Sequence, residues 1–420
     1  MLQKIWASHT VRFVLIALGT FGLMHWGLDG SRLAFMWFLL ALALGALACC
    51  VCIPRVWVTY IAISVLSLAL TCAGIEFYYY KTSYNDTKVR EGQYAIVPDA
   101  AIGYAPRAQA ATMPSKVTMN GEEVYNVTYT SGPDGWRVTP QHPDATRAVV
   151  FLGCSYTLGE GVNDAESYPW QVAQLLGDDC QVYNFGLSGY GPHQALAMLE
   201  TGRFKDIFTK YKQVEVFFLT LPGHELRVGG FSSWDTHGPR YMREGGRAVR
   251  CGHFDEPLHE VWLGAQWQRL STAFKQTQLC KQVIMQVLRF NHMGMLRQQS
   301  AVFLGMQEYV QQHYSNAHFT LLVYPSAASE VPLYQDEGVR TLSLLPAFPD
   351  WPNDDKYRIP HDRHPRPVAY AQLAVMVAEY IRGQAAPQAP GTQSDVQSAP
   401  VTAPTDGAPS GGDVAPEKAE

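Results

Sequence analysis

The segment Phe151-Leu-Gly-Cys-Ser-Tyr-Thr-Leu-Gly-Glu-Gly-Val162 ends an apolar run in a glycine-flanked serine and continues into a loop with two more glycines. A strand stopping at such a turn exposes a hydroxyl at the sheet end and aims backbone N–H groups at a developing oxyanion, as acyl transfer to serine requires. The pattern is not the G-x-S-x-G elbow, because position 157 is Thr. A lone serine after a strand is commonly only a turn residue, so the reading needs partners. Asn184-Phe-Gly-Leu-Ser-Gly-Tyr-Gly191 supplies a second glycine-rich loop after a short apolar run. His361-Asp-Arg-His-Pro365 offers His364 as a general base, with Asp362 near enough to share its turn and steer the imidazole. His193, His237 and His253 have no metal-ligand spacing and read as solvated or hydrogen-bonded structural histidines; no metal is expected. No G-x-G-x-x-G opens a helix after a strand, so no cofactor is expected either.

The elements around these residues alternate. Apolar runs at 148–152, 182–185, 214–220 and 319–324 read as buried strands, and 168–176, 192–203 and 368–381 read as helices. Short apolar strands separated by helices predict an α/β fold with a parallel sheet. Residues 91–145 hold short alternating segments such as 124–130 and a turn at 132–135, a small β-rich lead-in. Residues 228–277, rich in Gly, Trp, His and Arg, read as an insertion over the carboxyl edge of the sheet, where ligands bind, or as a surface excursion without a role. Residues 384–420 carry almost no large hydrophobes and read as a disordered tail.

The whole chain has 420 residues, 32 Lys+Arg and 37 Asp+Glu, a net charge of -5 that argues against a nucleic-acid partner. Charged residues make up 16% and hydrophobic ones 47%, an imbalance concentrated near the start. Residues 13–28, 33–53 and 56–75 form three apolar runs, the last two free of charge and long enough to span a bilayer. The first, broken by His25, competes with a signal peptide, but no A-x-A site follows it. Residues 1–80 are therefore expected to be a multi-pass anchor in the cell (inner) membrane, in contact with lipid, of two or three spans. Three spans from a cytoplasmic Met1 would place everything after Glu76 outside the cytoplasm. The distribution of Lys and Arg supports this only weakly, with Lys4, Arg12 and Arg55 inside against Arg32, Lys81, Lys88 and Arg90 outside. Cysteine usage does not settle the compartment, although Cys251 and Cys280 would suit a disulfide in an oxidising one.

A strand, G-x-S and loop, then N-x-G-x-x-G, then a late Asp/His pair resembles the SGNH/GDSL hydrolase superfamily in its membrane-anchored bacterial members. Gly153-Cys-Ser155 replaces the usual Gly-Asp-Ser, and Val124-Tyr-Asn-Val-Thr-Tyr129 with Gly135-Trp-Arg-Val138 is similar to the segment before the nucleophile in those members. The resemblance covers residues 95–382. It implies a three-layer, flavodoxin-like parallel sheet with helices on both faces, over 146–383, preceded by the transmembrane helices and the lead-in at 81–145. It also implies roles: Ser155 as nucleophile and, through its N–H, one oxyanion donor; Gly189 as another; His364 as base; Asp362 as its orienting partner. Asp-x-His replaces the commoner Asp-x-x-His, which leaves His361 as an alternative base.

The family's third-block asparagine is missing, and Leu221-Pro-Gly-His-Glu-Leu-Arg227 stands in its place. His224 is thus a candidate third oxyanion donor, or a residue that only packs the loop, and Arg227 a candidate contact for an anionic or sugar group. The expected function is a membrane-anchored serine esterase acting on an O-acyl ester of a small molecule, envelope glycan or lipid. The competing readings are an O-acyltransferase using the same site and a non-catalytic glycan-binding or scaffold domain. On oligomeric state the sequence is silent.

Overall fold

A computed structural model describes residues 9–27, 32–53, 55–83, 88–256, 270–271, 273–275, 277, 279–287, 291–352 and 354–385. Three apolar helices open it: His9–Gly27, Arg32–Cys52 and Val56–Ser83. Within the third, Val56–Tyr79 is long and apolar enough to cross a membrane, with mean hydropathy 2.0. The other two contain shorter apolar stretches, Val11–Thr20 and Trp37–Cys52.

Five parallel strands form the centre: β6 (Arg147–Gly153), β7 (Cys180–Gly186), β8 (Gln213–Thr220), β11 (Ala317–Val323) and β12 (Thr341–Ser343), in the order β12-β11-β8-β6-β7. Successive side chains of a strand point to opposite faces, and β6 shows why its apolar run is unbroken. Val149 and Phe151 join Val172 and Ala173 of helix Tyr168–Leu176 and Leu373 and Val377 of helix Pro367–Ala385 on one face. Val150 and Leu152 join Leu196 of helix Pro192–Glu200 and Val302, Phe303 and Met306 of helix His292–His313 on the other. Both faces are covered, so the strands are mostly apolar and show no regular polar alternation, with isolated buried exceptions such as Asn184 of β7 and Glu215 of β8. Phe151, fully buried, sits between the rings of Tyr168 and Phe217 at 4.9 and 5.5 Å; burying one such side chain contributes about 1.5–3 kcal/mol.

Starting from β6 the chain goes first to β7 on one side, then to β8 and outward on the other. The order therefore reverses at β6, and a crevice opens at its carboxyl end. Ser155 follows that end directly.

The lead-in is not a separate body. Strands β1 (Lys88–Glu91), β4 (Ala111–Met119) and β5 (Glu122–Ser131) form an antiparallel sheet, and β2 (Ile96–Asp99) pairs with β3 (Gly103–Pro106). Its Tyr104, Tyr125 and Tyr129 share one core with Leu158, Phe185 and Tyr190 of the parallel-sheet unit. The described part of the 228–277 segment carries a hairpin, β9 (Pro239–Glu244) with β10 (Arg247–His253); residues 257–269 lie outside the described residues. The closing helix continues to Ala385, into the segment expected to be disordered; the remainder of that segment, 386–420, is outside the described residues. Cys251 and Cys280 are unpaired in the structure, so the disulfide that an oxidising compartment would suit is not formed: Cys280 is buried against Met285 and Met295, and the Cys251 thiol instead donates to Val249 O.

Candidate functional site

Gly153 ends β6, Cys154 caps the next turn, and Ser155 begins the short helix Ser155–Leu158. Ser155 is 6% exposed, and among the described residues its hydroxyl and its N–H have no hydrogen-bond partner. The turn is pressed against the end of β7. A Cβ on Gly186 would lie 2.3 Å from Leu158 N, so only glycine lets the two segments approach this closely.

Arg137, from the Gly135-Trp-Arg-Val138 segment, fixes the loop that follows. Its fully buried guanidinium donates to Leu158 O (2.6 Å), Gly159 O (2.7 Å) and Val162 O (2.8 Å) and pairs with Asp164 at 2.8 Å. Backbone carbonyls of a loop have no ladder to join, and this one side chain satisfies three of them.

The second loop leaves β7. Gly189 adopts φ +83, and a Cβ there would meet Trp234 Nε1 at 2.5 Å and Tyr104 Oη at 2.7 Å. Its N–H has no acceptor among the described residues, while its carbonyl accepts from Trp234 Nε1–H at 3.1 Å. Tyr104 Oη–H donates to Ser188 O at 2.9 Å, and Arg227 Nη1 donates to Tyr190 O at 2.6 Å. Arg227, expected to meet substrate, thus holds this loop through one nitrogen.

His364 and Asp362 come together in a tight turn in which His361 and Arg363 have positive φ, 61° and 71°. Backbone bonds from Arg363 N to Ile359 O and from Ile359 N to His364 O close it at 2.9 and 2.8 Å. This folding lets residues only two apart face each other: His364 Nδ1 hydrogen-bonds Asp362 Oδ1. His361 is exposed and lies outside that pair. Burial alone would raise the Asp362 carboxyl. The hydrogen bond and charge of His364, then those of Lys88 at 2.6 Å, outweigh it and hold the carboxyl well below its usual range.

Nucleophile turn and histidine turn are joined through their neighbours. Tyr156 Oη–H donates to Arg363 O at 3.0 Å, and its ring lies 5.5 Å from the His364 imidazole. No hydrogen bond joins Ser155 Oγ to His364 among the described residues; catalytic contacts of this kind often tighten only with substrate present.

His224 is fully buried, its ring 5.5 Å from Phe218 and its Nδ1 3.4 Å from Thr220 Oγ1, with no described contact to Ser155. Burial, then the nearby Arg227, pushes its pKa well below the ordinary value, which leaves it neutral. Among the other histidines, His193 Nε2 bonds Asp235 at 2.8 Å in the interior, His237 pairs with Asp255 at 2.9 Å and His253 with Glu256 at 3.0 Å. Among the described residues no three His, Cys, Asp or Glu side chains group as a metal site.

Several residues at the site were not legible as functional. Glu160 of the Gly-Glu-Gly loop is 5% exposed, accepts from Ser188 Oγ at 2.6 Å and from Arg90 Nη2 at 2.5 Å, and lies 3.8 Å from His364 Nε2. Lys88 and Arg90 come from the lead-in strand β1. The one signal for them is two cations at i and i+2, which an extended strand places on one face.

No family model matches the chain, and no curated protein matches it. Solved structures resemble it. A lipase/acylhydrolase from Enterococcus faecalis is 14% identical, with 57% of this chain and 96% of that one covered and a TM-score of 0.29. A member of the lipolytic protein G-D-S-L family from Veillonella parvula DSM 2008 is 7% identical, over 56% and 98%, with a TM-score of 0.31. An acetyl xylan esterase from the rumen bacterium Butyrivibrio proteoclasticus is 10% identical, over 71% and 90%, with a TM-score of 0.34. At this level of likeness the chemistry has to be argued from the chain's own atoms.

Proposed function

We propose that the chain is a membrane-anchored serine esterase of the SGNH/GDSL type that cleaves O-acyl esters. The observation that carries this reading is the tie between the two turns: Tyr156, next to Ser155, is bonded to Arg363, next to His364, and His364 is bonded in turn to Asp362. Ser155 Oγ attacks the acyl carbonyl as its proton passes to His364 Nε2, with Asp362 holding the tautomer. The N–H groups of Ser155 and Gly189 receive the oxyanion, and water then cleaves the acyl-enzyme. His224 packs the third loop, which leaves two donors in the hole. Arg227 retains its second terminal nitrogen for an anionic or sugar group.

The parallel-sheet unit at 146–383 and the lead-in act together in this account. Helices His9–Gly27, Arg32–Cys52 and Val56–Ser83 form a multi-pass anchor in the cell membrane, with the catalytic unit on the extracytoplasmic side and an envelope glycan or lipid as the acyl carrier. Apolar helices directly before β1 support the anchor. The test is acetate release from activated and sugar esters by the full chain in detergent, with and without a free sugar acceptor. Hydrolysis in water supports the esterase; release that depends on the acceptor would make it an O-acyltransferase. A phosphatase fused after Tyr84 that is inactive in cells would overturn the extracytoplasmic placement.

A further inference from the structure

The proposed mechanism leaves unused a carboxylate at the heart of the site. Glu160 is enclosed, yet it lies 3.8 Å from the nitrogen of His364 that must take the serine proton. An unpaired charge in such a place is costly, and this one is balanced: Arg90 meets Oε1 at 2.5 Å and the Ser188 hydroxyl meets Oε2 at 2.6 Å. Burial would raise its carboxyl; the charge of His364 whenever that ring is protonated, the charge of Arg90 and the bonds from Ser188 and Arg90 outweigh that and hold it below the usual range. It is a carboxylate, not a carboxylic acid, at neutral pH.

We propose that Glu160 is a positioning residue for His364, a second carboxylate that stabilises the imidazolium from its Nε2 side while Asp362 does so from Nδ1. This rests on Ser155 and His364 acting as nucleophile and base. As the Oγ–carbon bond forms, the carbonyl π pair moves onto oxygen and the Ser155 proton moves to Nε2. As the carbon–oxygen bond to the leaving alcohol breaks, that proton goes to the departing oxygen. Between the two transfers His364 is a cation, and only then does a carboxylate 3.8 Å away attract it strongly. A neutral imidazole in the resting site gains much less. Glu160 therefore favours the transition state over the bound substrate, and its loss falls on kcat and not on KM. Ser188 has a second consequence: the same carboxylate ties the second glycine loop, with Gly189, to the nucleophile loop.

The test compares Glu160→Gln with Ser188→Ala in the full chain in detergent, each checked for folding by thermal melting. Glu160→Gln keeps a side chain of the same size and removes the charge; Ser188→Ala removes the loop tie and keeps the charge. The expected result is a fall of about tenfold or more in kcat for Glu160→Gln, with KM within about twofold and slower fluorophosphonate labelling of Ser155, and a smaller fall for Ser188→Ala. Equal losses in the two variants, or a Glu160→Gln change confined to KM, would overturn the proposal. Should Glu160→Gln not fold, Glu160→Asp carries the test: it withdraws the charge by one methylene, and kcat must fall without a matching change in KM. Failure of the serine-esterase reading is distinguishable, because the wild-type chain would then take no label on Ser155.

Discussion

Lys88 Nζ lies 2.6 Å from Asp362 Oδ2, across 274 residues of sequence. Two residues further along the same strand, Arg90 meets Glu160 at 2.5 Å. One short strand, separated from the last apolar helix by four residues, thus supplies a cation to each carboxylate flanking His364. The lead-in belongs to the site as much as the parallel sheet does.

Replacing Lys88 by Met is expected to lower kcat by up to about tenfold while leaving the melting temperature nearly unchanged. The Lys88 side chain is 39% exposed, so its pair adds little to stability, about 0–1 kcal/mol. Its effect is on Asp362, whose Oδ2 it holds while Oδ1 serves His364. Steady-state kinetics with a thermal melt alongside measure both quantities.

Arg137→Ala should act in the opposite way, through stability first. It would strip partners from the carbonyls of Leu158, Gly159 and Val162 and leave Asp164 without its cation. The expected cost is about 3–5 kcal/mol, the usual penalty for breaking a buried pair. Arg137→Lys should not restore it, since one ammonium cannot reproduce the planar fork. Denaturant unfolding of the two variants provides the comparison.

Gly189→Ala tests the oxyanion arrangement. At φ +83 an added methyl would run into Trp234 and Tyr104, so the loop must shift and its N–H with it. Loss of one such donor costs about 10²–10³ in kcat. A variant turning over like the wild type would remove Gly189 from the hole.

Stability should fall as the medium moves from about pH 5 to about pH 7. Burial pushes Glu330 from its ordinary 4.5 up to about 7; the Tyr334 hydroxyl opposes the shift and the nearby Glu225 charge adds to it. A carboxyl with a raised folded pKa contributes its full stability below the unfolded value and loses it as pH rises through the folded one. Glu330→Gln is expected to flatten the melting temperature over that window, and thermal melts at stepped pH read it directly.

The parallel sheet is legible because strands buried on both faces are predominantly apolar, with isolated exceptions such as Asn184 and Glu215. The expected runs at 148–152, 182–185 and 214–220 lie within β6, β7 and β8, one or two residues short at their ends. The helix expected at 168–176 coincides with Tyr168–Leu176. Helix His292–His313 is hard to see in the sequence because its exposed Gln and His residues dilute the apolar stripe that Val302, Phe303, Met306 and Val310 form. Within the candidate site, Ser155, Asp362 and His364 stand out in the sequence because their residue types suggest a chemistry. Glu160, Arg90 and Lys88 do not: a Glu in a glycine loop and two cations in a linker look solvated until the fold brings them together. His224 is the converse case. Its place in the order of motifs suggests a donor or a residue that packs the loop; in the structure it begins the short helix His224–Val228 and is fully buried, its ring 5.5 Å from Phe218.

The most direct test of the central claim is reaction of the full chain in detergent with a fluorophosphonate, the adduct located by mass spectrometry, with Ser155→Ala and His364→Ala alongside. The account predicts a single adduct on Ser155, absent in the first variant and strongly slowed in the second. No adduct on a folded chain, or equal labelling with His364 removed, would contradict it.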